Sequence, residues 1–163
     1  MLDAKYHRIF RTLYNPVIAN IYKFMEDSTP YSYVLERLKT ASLRPTRQRL
    51  ALAKLLLESD DRHVTAEQLH CEASRTGIKV SLATVYNTLH QFTKADLMRE
   101  VVVVSGRAYF DTNTSDHHHI FHQDTGELYD IPDEAIPALV LPDAPEGTEI
   151  DRVEIILRVK SLG

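Results

Sequence analysis

Ser81-Leu82-Ala83-Thr84-Val85-Tyr86-Asn87-Thr88-Leu89-His90-Gln91-Phe92-Thr93-Lys94 opens on a helix-capping residue and then repeats apolar side chains at Leu82, Val85, Leu89 and Phe92. The spacing predicts an amphipathic helix that buries those four, with Ser81 accepting from an otherwise unpaired first-turn N–H. Its other face carries Ala83, Thr84, Asn87 and His90, with Tyr86 at the flank. Small and hydrogen-bonding side chains on an exposed helix face suit the major groove of DNA, where Tyr86 could offer its ring to a thymine methyl and its hydroxyl to a phosphate.

The segments on either side complete a pattern. Upstream, Thr65-Ala66-Glu67-Gln68 has capping-box spacing and Gly77 supplies the stop, which predicts a helix just before the first. Further back, Tyr31–Thr40 is apolar at Val34, Leu35 and Leu38, and Arg44-Pro45-Thr46 opens a helix carrying Leu50, Ala53, Leu55, Leu56 and Leu57. Downstream the period changes to extended: Leu97–Val104, a Ser105-Gly106 turn and Arg107–Asp111 predict a β-hairpin. Helix, turn, helix and two-stranded ribbon is the order of a winged helix-turn-helix. Arg44, Arg47 and Arg49 would then reach backbone phosphates or a minor groove, and Ser81, Thr84, Tyr86 and Asn87 would face the bases. The competing reading is a winged helix that packs on another protein, its arginines on a solvated face.

Beyond the ribbon, Asp116-His117-His118-His119-Ile120-Phe121-His122 places four of the eight histidines in seven residues, near Asp111, Asp124 and Asp130. Imidazole both ligates transition metals and titrates near neutrality, so the run points to metal, haem or a pH switch, against the plainer reading of a solvated polar loop. Alternation along a strand sends His117 and His119 to one side and His118 and His122 to the other. A hairpin is expected around Asp124-Thr125-Gly126, then a connection through Pro132, Pro137, Pro142 and Pro145. A last strand within Ile150–Lys160 would place Val153, Ile155, Leu157 and Val159 on one face.

Composition sets the bounds. The 163 residues, 44% hydrophobic and 26% charged, suit one domain or two small ones able to bury a core. Residues 1–100 hold 15 Lys/Arg against 11 Asp/Glu, whereas residues 101–163 hold 4 against 12, so the basic part suits a polyanion and the acidic part cations. The single cysteine, Cys71, excludes an internal disulfide framework and is expected packed on its helix. No stretch is long and apolar enough to span a bilayer, and a reducing, cytoplasmic setting follows. His7, His70 and His90 lack ligand-like neighbours and read as structural or exposed. Residues 1–29 form a basic, aromatic lead-in of unknown role, with a weak amphipathic helix over Val17–Met25.

Leu43-Arg44-Pro45-Thr46-Arg47-Gln48-Arg49, His63-Val64-Thr65-Ala66-Glu67-Gln68-Leu69, Ser81 to Leu89, and Tyr109-Phe110-Asp111 with the histidine run together resemble the ferric uptake regulator family from about Tyr31 to the C-terminus. Asp116-His117-His118-His119 and Pro145-Glu146-Gly147-Thr148-Glu149-Ile150 resemble its iron response regulator branch. The resemblance implies an α+β fold, with a winged-helix DNA-binding domain over 30–112 and a small α/β dimerisation and metal/haem-sensing domain over 113–163. It implies a cytoplasmic homodimer on palindromic, A/T-rich operator DNA, controlling haem synthesis and iron homeostasis, with a haem-synthesis enzyme as a further partner.

Carried over by motif, His63, Asp111, His117, His119 and Asp130 are the ligands of an inter-domain Mn²⁺, Fe²⁺ or Zn²⁺, and Tyr86 is the base-contacting tyrosine. The branch further implies haem at the histidine run, with His117, His118, His119 and His122 as candidates for haem or a second metal. Against this stand plainer readings of His63 as a surface histidine and of Asp130 as a turn acid. Two departures matter. Gln123-Asp124-Thr125-Gly126 replaces the Cys-x-x-Cys-Gly of many relatives, so a four-cysteine structural zinc site is excluded. Asn87 stands where iron-sensing relatives often carry Arg, so their operator does not transfer. A metal-dependent hydrolase, or a metal or haem storage module, remains an alternative; the former lacks a nucleophile elbow, a His-Glu-x-x-His helix or a phosphate loop.

Overall fold

The computed structural model describes residues 31–104, 107–137 and 139–162. The weak helix over Val17–Met25, His7 and the Ser105-Gly106 turn lie outside these residues. Four helices come first: α1 (Ser32–Thr40), α2 (Arg47–Leu57), α3 (Ala66–Arg75) and α4 (Leu82–Lys94). Six strands are interleaved or follow: β1 (His63–Val64), β2 (Arg99–Val104), β3 (Arg107–Asp111), β4 (His118–His122), β5 (Glu127–Ile131) and β6 (Ile156–Val159).

Local chemistry sets the helix starts. Thr46 caps α2, Ser81 caps α4, and Thr65 with Gln68 closes a reciprocal capping box on α3. Each apolar stripe meets the others in one core. Val34 and Leu38 of α1, Leu52, Ala53 and Leu56 of α2, Leu69 and Ala73 of α3, and Val85, Leu89 and Phe92 of α4 close over Met98 and Phe110.

Four expectations change in detail. Leu82 is exposed: as the first residue of α4 it lies past the end of the packed stripe, and Thr88 takes the place in the buried face. Cys71 is exposed too, because α3 buries Ala66, Leu69 and Ala73 and Cys71 falls on the opposite side. The ribbon begins at Arg99 rather than Leu97, since Asp96 at φ 54° turns the chain off α4 and drops Leu97 and Met98 into the core. The last strand is only Ile156–Val159, and its inward residue is Ile156. Its parallel register on β4, Ile120↔Leu157 and His122↔Val159, instead puts Leu157 and Val159 on the outer face, where both are exposed.

The strands form two three-stranded sheets, ordered β1-β3-β2 and β5-β4-β6. Val101, Val103 and Tyr109 of the first pack against Phe121, Leu128 and Ile156 of the second. Tyr109 Oη also donates to the Gly126 carbonyl at 2.7 Å, in the β4–β5 turn where Gly126 adopts φ 72°, and Arg158 donates to the Val103 carbonyl. The ribbon is thus seated on the second sheet, and the polar end of that seam is the histidine cluster.

Candidate metal centre

Strand register assembles the cluster. In the first sheet His63 stands opposite Asp111, and in the second His119 stands opposite Asp130. The two His/Asp pairs meet across the seam, and His117, one residue ahead of β4, joins from the same side as His119. The strand alternation expected for the run holds: His117 and His119 are buried, while His118 and His122 are half-buried on the other face.

One donor atom from each of the five residues lies within 4.8 Å of all the others. His63 Nε2 is 2.9 Å from Asp130 Oδ1 and 3.7 Å from Asp111 Oδ2; His117 Nε2 is 2.9 Å from Asp111 Oδ2 and 3.4 Å from Asp130 Oδ1. His119 Nε2 is 3.7 Å and 4.0 Å from the same two oxygens and 3.0 Å from His117 Nε2. On a sphere of about 2.1 Å, octahedral neighbours sit roughly 3.0 Å apart and opposed donors about 4.2 Å. These separations fall within that span, which fits a six-coordinate ion with one place left over better than a closed tetrahedron.

The polar accounting agrees. His63 Nε2 and Asp111 Oδ2 are buried and have no hydrogen-bond partner, although both face the common centre. Of the atoms turned away from it, His117 Nδ1 contacts the Ser115 carbonyl at 2.8 Å, which suits an Nδ1–H with the Nε2 lone pair inward, while the buried His119 Nδ1 lies 3.4 Å from Glu154 Oε1 without a hydrogen bond. Asn113 serves both acids, its backbone N–H donating to Asp111 Oδ1 at 2.8 Å and its side-chain amide to Asp130 Oδ2 at 3.1 Å. Three imidazoles and two carboxylates converging on one centre suit a divalent cation. Asp130 is the most open of the five and, with His63, lines a cavity of about 550 Å³.

Burial pushes the His63 imidazole below its ordinary range, outweighing the attraction of Asp111 and Asp130. Burial pushes Asp111 upward, but the neighbouring His119, the hydrogen bond from the Asn113 N–H and the nearby His63 and His117 imidazoles more than offset it, leaving the acid below its usual range. A folded-state His63 pKa below the unfolded value means that the unfolded chain binds the extra proton first. His63 therefore contributes instability to the metal-free protein as pH falls below about 6.5. Thermal melts of metal-free protein should show the midpoint falling between pH 7 and 5, with the fall reduced in His63→Gln.

Asn113 and Glu154 escaped the sequence reading. The first left a local signal: Asp111-Thr112-Asn113 is an Asx turn, the acid accepting the N–H two residues on. Asn113→Ala removes the amide from Asp130 while leaving all five donors in place. It should weaken Mn²⁺ binding roughly tenfold to a hundredfold in a competition titration.

On the other flank, Arg44, Arg47, Ala83, Asn87 and His90 are exposed. Four residues expected at the DNA also have partners within the fold. Arg49 donates to the Arg44 carbonyl and to Gln91 of α4, bracing one helix against the other. The Ser81 and Thr84 hydroxyls bond each other at 2.8 Å, and Tyr86 Oη donates to Glu67 at 2.6 Å.

A winged helix with an exposed recognition face, joined to a second sheet through a His/carboxylate centre, defines a metal-responsive transcription regulator. The sequence model of the ferric uptake regulator family matches residues 40–157, and the chain belongs to that family. The ferric uptake regulation protein of Shigella flexneri is 35% identical over 102 residues, 62% of this chain and 69% of that protein. Among solved structures, the ferric uptake regulator from Pseudomonas aeruginosa with manganese is 27% identical with a TM-score of 0.59, over 77% of this chain and 96% of that one. The Vibrio cholerae ferric uptake regulator is 26% identical with a TM-score of 0.63, over 77% and 98%. Membership makes the chain a regulator rather than an enzyme, which sets the hydrolase alternative aside. Among the described residues no helix is long and apolar enough to cross a membrane.

Proposed function

We propose that the chain is an iron-responsive, cytoplasmic regulator that binds palindromic, A/T-rich operator DNA as a homodimer when a divalent ion occupies the five-donor centre. The observation that carries this is the meeting of His63 and Asp111 from the ribbon sheet with His119 and Asp130 from the second sheet. An ion there ties the DNA-reading unit to the sheet that carries the dimer, and so sets the spacing of paired α4 helices. Mn²⁺, Fe²⁺ and Zn²⁺ all suit a mixed nitrogen and oxygen shell, and the manganese of the Pseudomonas aeruginosa structure favours the first as a probe. Ile120, Leu157 and Val159, on the outer face of β4 and β6, are the surface offered to the second copy.

In this reading α4 reads bases through Tyr86, Asn87 and its exposed first turn, while Arg44 and Arg47 take phosphates. Haem is sensed on the outer face of β4, as the resemblance to the iron response regulator branch suggests, and it opposes operator binding at genes for haem synthesis. His118 and His122 stand four residues apart, roughly 13 Å along a strand, so they serve as single axial ligands rather than a pair. His118 is favoured, because its buried Nδ1 has no hydrogen-bond partner whereas His122 Nδ1 accepts from Thr125 N at 3.3 Å.

The test is fluorescence anisotropy on a palindromic duplex enriched from a random-core pool, with chelator, Mn²⁺ or Mn²⁺ plus haem, at fixed salt. Sequence-specific binding should appear with Mn²⁺, weaken with haem in wild type, and resist haem in His118→Ala. Equal binding with chelator and with Mn²⁺ would contradict the metal-responsive part; an unchanged haem effect in His118→Ala would contradict the haem assignment.

A further inference from the structure

Glu67 is the second residue of α3, straight after the Thr65 cap, and its carboxylate is exposed. It reaches across to α4 and accepts the Tyr86 hydroxyl at 2.6 Å. The far side of the tyrosine is held as well. Its ring stacks on His90, with centroids 6.3 Å apart and planes 24° from parallel. His90 rests edge-on against the buried Phe110 at 5.5 Å and lies 3.4 Å from Glu100. Tyr86 is thus fixed at both ends before any DNA arrives.

An ionised carboxylate only accepts, so the phenol must donate to it. The hydrogen bond keeps Glu67 more acidic than an ordinary glutamate and Tyr86 less acidic than an ordinary tyrosine, which preserves that polarity at neutral pH. With its one O–H committed, Tyr86 has nothing to donate to a phosphate. What it can offer outward is the edge of its ring.

We propose that Glu67 is a positioning residue that sets the base preference of this regulator: by holding the Tyr86 hydroxyl it aims the ring edge at a thymine 5-methyl group and withholds the hydroxyl from the DNA backbone. The proposal rests on the reading of Tyr86 as a base contact. It also assigns the carboxylate a second effect, since a negative charge beside the recognition helix repels phosphates and lowers affinity for every sequence alike.

The probe is the Mn²⁺-loaded full chain on the enriched palindromic duplex, with each thymine replaced in turn by deoxyuridine, which deletes only the methyl. In wild type one symmetry-related pair of positions should weaken binding about fourfold per half-site, the worth of one buried methyl. Glu67→Ala should reduce that discrimination to less than about twofold, and Tyr86→Phe should match it, because both free the ring. Glu67→Gln keeps an acceptor and loses the charge, so it should retain the discrimination and bind all duplexes more tightly. A Glu67→Ala protein with the full methyl preference, or a Glu67→Gln protein that loses it, would overturn the proposal. Tyr86→Ala separates the two layers: if it keeps the methyl preference, Tyr86 does not read bases and the underlying reading falls. If it loses the preference while Glu67→Ala keeps it, only the role of Glu67 falls.

Discussion

Asp111→Asn is expected to lower Mn²⁺ affinity by about two orders of magnitude or more while leaving the metal-free fold near its wild-type melting temperature. Asp111 is fully buried and lies 2.9 Å from His117 Nε2 and 3.7 Å from both His63 Nε2 and His119 Nε2. In so dry a position its full negative charge is the strongest single attraction on a cation, because little water screens it. Asparagine keeps the shape and the oxygen that accepts from Asn113, but it removes the charge. Asp130 supplies the second carboxylate from a much more open place, with 35% of its side chain exposed. Asp130→Asn should therefore cost less than Asp111→Asn, and competition titration against a chelating dye orders the two. Equal losses would mean that burial does not set the strength of the site.

Phe110→Ala should be the most destabilising single truncation near the site, costing about 3–5 kcal/mol of unfolding free energy. Its ring is fully buried within the helical core, under Val85, Leu89 and Phe92, and it pairs with Val64 across β1 and β3. Removing it opens a cavity directly behind Asp111, one residue along the strand, so metal affinity should fall with stability. The measurement belongs on metal-free protein, where bound ion cannot add its own stabilisation. Val102→Ala is the control: it lies in the neighbouring strand with 63% of its surface exposed and should change the midpoint little. Similar melting shifts for the two would contradict the packing described.

Much of this was legible because the signals were local. A serine or threonine before a 3.6-residue apolar rhythm set the starts of α2, α3 and α4, and alternation split the histidine run into an inward and an outward pair before any partner was known. Long-range facts were not legible in that way. Nothing in Ile150–Lys160 told which phase faces inward, since Val153, Ile155, Leu157 and Val159 make a cleaner stripe than Ile156 alone; only the register on β4 turns that stripe outward. The bond between Glu67 and Tyr86 spans 19 residues and joins two helices whose packing must exist first. Arg49 looked free for DNA because its pull toward Gln91, 42 residues on, has no sequence mark.

The five candidate ligands were placed together by family resemblance, and the geometry supplies what resemblance could not: the strand registers that bring four of them together. Two antiparallel registers, one in each sheet, present a histidine beside an aspartate, and the apolar seam of Val101, Val103, Tyr109, Phe121 and Leu128 holds the sheets at the distance that lets the pairs meet. An ion bound there would thus join surfaces that already touch.

X-ray absorption and anomalous diffraction on Mn²⁺-loaded protein test this most directly. One ion should lie within roughly 2.0–2.3 Å of imidazole nitrogens from His63, His117 and His119 and of carboxylate oxygens from Asp111 and Asp130. An ion held by His118 or His122, or by a set that leaves out His63, would contradict the account.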